Sequence, residues 1–410
     1  MQIHLPTPLL GGLSPRDFMA RHWQKHPLLI RQAVPAIQPL LTRAELFALA
    51  ASDAVESRLV ARAGRRWELR HGPFKRRALP GVAQTRWTLL VQGLDQHLAA
   101  AHDLLERFRF VPDARLDDLM LSYATDGGGV GPHLDSYDVF LLQVQGTRDW
   151  RIGRVARPKL AKTAPLKILT NFHAEQRWLL EPGDMLYLPP RWAHQGTARG
   201  ECMTASIGFR APSALGIADE LLQRWRDDEP EPGSHELELL RYEDRHQDAT
   251  RTPGRVPPTL RRFAADALRR ELTNPQRLAR ALGELLSEPK ANVVFEPGAA
   301  LQRRRCVRLD PRSRLLYDEH HVFINGESFL AAGADANVLR RLADRHRPGA
   351  ARVHALHRRP AVREQGRPGA AELQRRAAAG HRRLRHAGPR ARGVRVPRTL
   401  SIRHGRGHPL

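Results

Sequence analysis

Cysteine is nearly absent from this chain of 410 residues: Cys202 and Cys306 are the only two. No disulfide framework follows from one such pair, and a reducing compartment is the simpler expectation. Lysine is almost as scarce, with six residues against 61 arginines. No run of about 18 apolar residues occurs, so no membrane span is expected. Residues 1–10 lack the basic-then-apolar pattern of a secretory leader. A cytoplasmic location is therefore expected. Acidic charge is also in the minority, and the net charge is +24.

That excess is unevenly placed. Residues 347–410 hold 17 arginines against two acids, Glu364 and Glu372. The same stretch has no Phe, Trp, Tyr, Met, Asp, Asn or Lys, and the last aromatic of the chain is Phe329. Such a segment cannot bury enough apolar surface to offset the entropy of ordering it. Three readings stay open for it. It is a basic arm making weak contacts with RNA. It is the product of a frameshift near residue 346, since Arg, Ala, Gly and Pro are the residues of GC-rich codons. Or it is a folded piece of unfamiliar type. The rest of the chain has ample apolar residues for two or three domains, since 41% of the whole is hydrophobic.

Helical signals open the chain. Ser14 can cap and Pro15 suits a first turn over residues 14–26, and PLLIRQAV at 27–34 reads as a buried strand. Residues 40–110 mix helical segments with a hairpin-like pair around Glu56–Leu69. Between residues 117 and 210 short apolar runs alternate with Gly and Pro, which indicates a sandwich or small barrel of strands. Helices return after Pro212, with a linker over Asp227–Gly233. Leu260, Phe263, Ala264, Ala267, Leu268 and Leu272 make one apolar stripe. Asn274-Pro275 starts the next helix. Residues 303–330 read as two strands joined at Asn325-Gly326, and 335–346 as a helix.

The informative segment is GGGVGPHLDSYDVF at 127–140. On a strand, His133 and Asp135 would point to one face and start a bidentate site for a divalent metal. His194, in EPGDMLYLPPRWAHQG, is the candidate third ligand. The chain has 20 histidines, and any one of them is normally an ordinary surface or core residue; His102 and His173 are read so. Two His and one carboxylate, however, make the facial set of non-haem Fe(II) oxygenases, with positions left open for other ligands. Arg148, further along the strand region, could grip a carboxylate bidentately. Ser122 and Ser206 sit on strands that could flank the same cavity. Tyr137 and Asp138 follow the His-Asp pair and could meet a cationic substrate side chain.

These segments, together with FMARHWQKHPLLIRQA near the start, resemble the JmjC ribosomal oxygenases, most closely the type that hydroxylates an arginine of a large-subunit ribosomal protein. The resemblance covers about residues 1–345. It implies an α+β fold: a double-stranded β-helix (the cupin-like JmjC barrel) with N-terminal helices, a helical dimerisation region and a partial winged-helix-like C-terminal region. The expected boundaries are 1–100 for the supporting region, 101–212 for the barrel, 213–289 for dimerisation, 290–346 for the winged-helix-like part and 347–410 for the tail. Carried over position by position, His133, Asp135 and His194 match the iron ligands. Arg148 matches the anchor for the distal carboxylate of 2-oxoglutarate, and Ser122 a further contact to it. The resemblance implies Fe(II), 2-oxoglutarate and dioxygen as reactants, a ribosomal protein as substrate and a homodimer as assembly. Three other readings remain: hydroxylation of a ribosomal histidine, a ribosome- or RNA-binding protein with an inert barrel, and a cupin-like isomerase without 2-oxoglutarate.

Overall fold

The computed structural model describes residues 2–64, 66–227, 240–243, 245, 255–272, 274–290, 292–295, 308–345 and 402–403. The Arg-rich tail, apart from Ile402 and Arg403, and nearly all of the 227–233 linker lie outside the described residues.

The first helix, α1 (Pro15–Arg21), begins as expected, with the Ser14 side chain accepting from Asp17 N–H and Pro15 in the first turn. It is shorter than expected because Gln24, at φ 57°, turns the chain out of it. Likewise the strand β1 is confined to Leu28–Ile30. A second helix, α2 (Arg43–Leu49), carries a reciprocal cap between Thr42 and Glu45.

The centre is a nine-stranded sheet in which every pairing is antiparallel. Its strands are β1, β2 (Ser57–Ala63), β3 (Arg66–His71), β4 (Trp87–Val91), β5 (Leu116–Ala124), β6 (Val139–Arg154), β7 (Gln176–Leu180), β8 (Met185–Leu188) and β9 (Trp192–Phe209). The order is β1-β8-β6-β9-β5-β4-β2-β3, with β7 added to β6. The two long strands, β6 and β9, pair along their length, with register shifts around Gln145. Gly146 makes the bend there at φ 61°; a Cβ on it would lie 2.2 Å from the Glu201 carbonyl oxygen. On one side of the bend β6 pairs with β8, and on the other with β7. This all-antiparallel arrangement agrees with the cupin-like barrel expected from the sequence.

Side chains alternate along these strands, which sorts the apolar residues into two cores. One face packs Phe140, Leu142, Tyr187, Ile207 and Phe209 against Phe18, Leu46 and the helix α3 (Ala99–Glu106). The opposite face encloses Val139, Leu141, Trp150, Ile152, Leu186 and Leu188. That second face carries the site.

Beyond the sheet come α4 (Ala214–Asp227), α5 (Pro258–Leu272) and α6 (Pro275–Ser287). Asn274 caps α6 by accepting from Gln276 and Arg277 N–H. Residues 308–330 form β10 (Arg308–Leu309), β11 (Leu315–Tyr317), β12 (His321–Ile324) and β13 (Glu327–Leu330), where two strands were expected. The Asn325-Gly326 turn does join β12 to β13, both residues at positive φ. The helix α7 (Gly333–Arg345) follows, and β10 pairs with a last strand, β14 (Ile402–Arg403). This C-terminal unit docks on β5: Arg314 donates to the Leu116 and Asp117 carbonyls, and Lys290 reaches Asp118 at 2.8 Å.

Candidate metal centre

His133 and Asp135 do not lie on a strand. They sit in the loop between β5 and β6, and only His133 makes a β-bridge, to His194. The loop itself achieves what strand alternation was expected to do. His194 lies on β9 opposite Ile152 and is 2% exposed. The ligand-type atoms of His133, Asp135 and His194 all lie within 4.8 Å of one another. The Asp135 carboxylate is 3.9 Å from His133 Nε2 and 3.5 Å from His194 Nε2. Each imidazole has its Nδ1 3.0 Å from a backbone carbonyl, Gly131 for His133 and Trp192 for His194. A carbonyl oxygen can only accept, so the proton belongs on Nδ1 and both Nε2 lone pairs face Asp135. Burial, with His133 nearby, pushes His194 down to about 4, so it is neutral at pH 7. Neutral imidazole is the form that ligates a metal.

Arg148 lies on the same face of β6, two residues before Trp150, and is 5% exposed. Its guanidinium carbon is 5.8 Å from the Trp150 ring centre, and the other side of that contact chain is His194, 5.9 Å from Trp150. Arg148 Nε and Nη2 and Trp150 Nε1 are buried donors with no acceptor among the described residues. An unpaired buried cation is costly. Orphan donors on these two neighbouring side chains mark a place for an anion, and a carboxylate fits a guanidinium fork. Gly196 is required beside them, since a Cβ there would lie 2.8 Å from the Trp150 ring.

Ser122 and Ser206 are both buried, at 4% and 9% exposure. Ser122 pairs with Thr204, and Ser206 with Leu141, which places both on the inner face. The Ser122 hydroxyl donates to the Thr204 carbonyl at 3.2 Å. Gln143 and Thr204 share that face and bond each other at 2.9 Å; the sequence reading missed both, although period-two alternation from Leu141 and Ser206 would have found them. Tyr137 is 39% exposed, and partial burial with the Asp135 carboxylate nearby raises its phenol. The expectation for Asp138 is corrected. Its side chain is fully buried, accepting from Tyr187 Oη at 2.6 Å and Gln24 Nε2 at 3.1 Å, with Arg115 at 3.6 Å. Just before β6, it faces Gln24, Tyr187 and Arg115, away from any substrate. His102 and His173 stay outside the cluster, His102 beside Glu106 on α3.

Residues 103–217 match the JmjC domain, and residues 268–365 the ROXA-like winged helix. The crystal structure of Escherichia coli YcfD superposes with a TM-score of 0.72, at 31% identity, over 80% of this chain and 88% of that one. The chain belongs to the JmjC ribosomal oxygenases. A YcfD structure holding cobalt and 2-oxoglutarate matches this ribosomal oxygenase with a TM-score of 0.68, at 32% identity, over 81% of the chain and 89% of that structure. The ribosomal protein uL16 3-hydroxylase of Escherichia coli is 39% identical over 238 residues, 55% of this ribosomal oxygenase and 63% of that relative. The chain thus spans just under two thirds of that relative's length.

Proposed function

We propose that this ribosomal oxygenase is an Fe(II)- and 2-oxoglutarate-dependent protein hydroxylase acting on an arginine of a large-subunit ribosomal protein. The observation that carries the reading is Arg148: a buried cation with no ion-pair partner among the described residues, on the same inner face as His194. An isomerase of the cupin type has no need of such an anchor, and an inert barrel has no reason to keep a complete donor set. The naming of the E. coli relative as a uL16 3-hydroxylase, and the 2-oxoglutarate in the YcfD structure, support it.

His133, Asp135 and His194 would hold the iron. When bound, it supplies activation of dioxygen coupled to oxidative decarboxylation of 2-oxoglutarate. The protein's own part is positional. Arg148 takes the distal carboxylate in its fork, and Trp150 Nε1 is the neighbouring donor. Ser122 and Ser206 line the same face as further cosubstrate contacts. The Gly131 and Trp192 carbonyls fix both imidazole rings. The apolar wall of Val139, Leu141, Ile152, Leu186 and Leu188 excludes water from the reacting atoms. Tyr137, partly exposed beside Asp135, is the proposed contact for the substrate side chain.

The assembly is proposed as a homodimer through residues 213–289. Leu215 and Leu222 on α4 and Leu260 and Leu268 on α5 are exposed, Leu215 by 71%, and a second copy would cover them. Light scattering at micromolar concentration should give twice the monomer mass. No helix among the described residues is long and apolar enough to cross a membrane; a cytoplasmic site of action agrees with modification of a ribosomal protein. Any weak RNA contact by the tail falls outside the described residues.

The deciding experiment is mass spectrometry of ribosomal proteins incubated with the enzyme, Fe(II) and 2-oxoglutarate. One added oxygen localised to an arginine supports the reading. Localisation to a histidine would change the substrate, and no addition with intact metal binding would remove the hydroxylase assignment.

A further inference from the structure

Between β6 and β7 the chain makes a long excursion, residues 155–175. It is an ordered flap. Ala161 N–H bonds Ile168 O at 2.9 Å, Thr170 N–H bonds Lys159 O at 2.8 Å, and the Asn171 side chain bridges Lys159 N and Arg157 O at 3.0 Å each. The flap is fastened to the metal loop itself, since Leu169 N–H bonds Pro132 O at 2.8 Å. Gly131 lies between the flap and the β2–β3 hairpin: a Cβ on it would be 2.6 Å from Ile168 and 3.0 Å from the Trp67 ring. The Arg62 guanidinium lies over that tryptophan, 5.4 Å from the ring centre.

The flap gathers lysine, which is scarce in this chain. It exposes Arg157, Lys159, Lys162 and Lys167, so three of the chain's six lysines fall within nine residues. Two exposed arginines of the neighbouring strands, Arg177 and Arg199, are by contrast gathered by Asp149. The four flap cations have no such acid within ion-pairing distance among the described residues. A ribosomal protein segment rich in cations would be repelled by this surface. A polyanion would be drawn to it, and the polyanion that accompanies ribosomal proteins is RNA. The half-buried Trp67, with Arg62 over its ring, favours RNA over a run of Asp and Glu, because every base offers a π-face to an aromatic and carboxylate side chains do not.

We propose that residues 157–170 form a phosphate-binding flap that lays single-stranded RNA against Trp67, beside the metal loop. The flap lysines neutralise successive phosphates while Trp67 stacks a base. The inference rests on the reading of a ribosomal substrate but not on turnover by the barrel, so its test reads binding.

The full chain, which includes the 17-arginine tail, is acylated on lysine with and without a single-stranded oligoribonucleotide, and each lysine is read by mass spectrometry. Lys159, Lys162 and Lys167 should be protected several-fold, with Lys25 and Lys75 unchanged. RNA bound without protection of the flap lysines would assign binding to the tail and overturn the proposal. Equal protection by a poly-glutamate peptide of matched length would overturn it in favour of an acidic peptide partner. In a second arm, the Lys159→Ser, Lys162→Ser, Lys167→Ser variant should lower the slope of log affinity against log salt by about 2, at roughly 0.7 per phosphate contact on a single strand. Replacing the exposed Arg261, Arg262 and Arg270 on α5 with Ser should leave that slope unchanged; an equal drop would show charge acting without location, against the flap. A third variant, Trp67→Leu, should weaken RNA binding several-fold with the salt slope retained, and no loss would remove the stacking role.

Discussion

His133 and His194 exchange two backbone hydrogen bonds, each 3.0 Å long, and their imidazole centres are 4.2 Å apart. One comes from a loop and the other from the start of a long strand. The bridge between their backbones sets the spacing of the rings, so the donor set exists before any metal binds. The Asp135 carbonyl, accepting from Arg191 N–H at 3.0 Å, ties the third member to the same strand region.

Replacing His133, Asp135 or His194 with Ala should abolish hydroxylation and reduce Co(II) affinity by more than the roughly 10–100-fold typical of outer-shell changes. The melting temperature of the metal-free protein should change little for His133 and Asp135, which are only partly buried. Calorimetric titration with Co(II) and thermal melts check both. A variant that keeps near wild-type affinity is not a ligand.

Arg148→Met keeps the stem and removes the charge. The affinity for 2-oxoglutarate on the Co(II)-loaded protein should fall at least roughly 30-fold, from a loss of about 2–5 kcal/mol for a buried charge-assisted pair. The melting temperature of the ligand-free protein should stay the same or rise, because the guanidinium there has two donor atoms without acceptors. Unchanged 2-oxoglutarate binding would mean that another group holds the distal carboxylate.

Gly196→Ala places a methyl 2.8–2.9 Å from three carbons of the Trp150 ring. The ring is held between Arg148 and His194, so it cannot swing aside freely. Overpacking of this kind costs about 1–3 kcal/mol. We expect a lower melting temperature together with weaker 2-oxoglutarate binding, read by melts and calorimetry on one preparation. A stability loss with unaltered cosubstrate affinity would separate Trp150 from the anion site.

Asp95 supplies the pH dependence. It is 5% exposed and accepts from Leu119 N–H at 2.8 Å. Burial, with Asp118 adding to it, raises its carboxyl to about 6 from 3.8. A folded value above the unfolded one means the stabilising contribution is complete below about pH 4 and is lost as pH rises through about 6. Asp95→Asn keeps an acceptor for Leu119 without the charge. The variant should therefore be more stable than the parent at pH 8, by an amount on the order of 3 kcal/mol, and show no such gain at pH 4. A gain of equal size at both pH values would rule out titration of Asp95 as its source.

The sequence alone determined the chemistry of the centre. His133, Asp135 and His194 were legible because metal ligation restricts residue type, and the Pro- and Gly-marked strand texture located them on a barrel. The strong local signals held as well: Ser14 and Asn274 as caps, and Asn325-Gly326 as a hairpin turn, since each depends on atoms within a few residues. Tertiary structure decided what depends on pairing between distant segments. The strand face expected for the His-Asp pair proved to be a loop bridged to β9, and Asp138 turned inward because Tyr187, Gln24 and Arg115 converge on it. That no acid among the described residues reaches Arg148 is invisible in sequence, because it depends on how distant segments pack. The flap belongs to the same class. Its lysines are plain in the sequence, but their place beside the metal loop rests on one bond from Leu169 to Pro132 and on Gly131, whose bare Cα lets Ile168 and Trp67 close in from two sides.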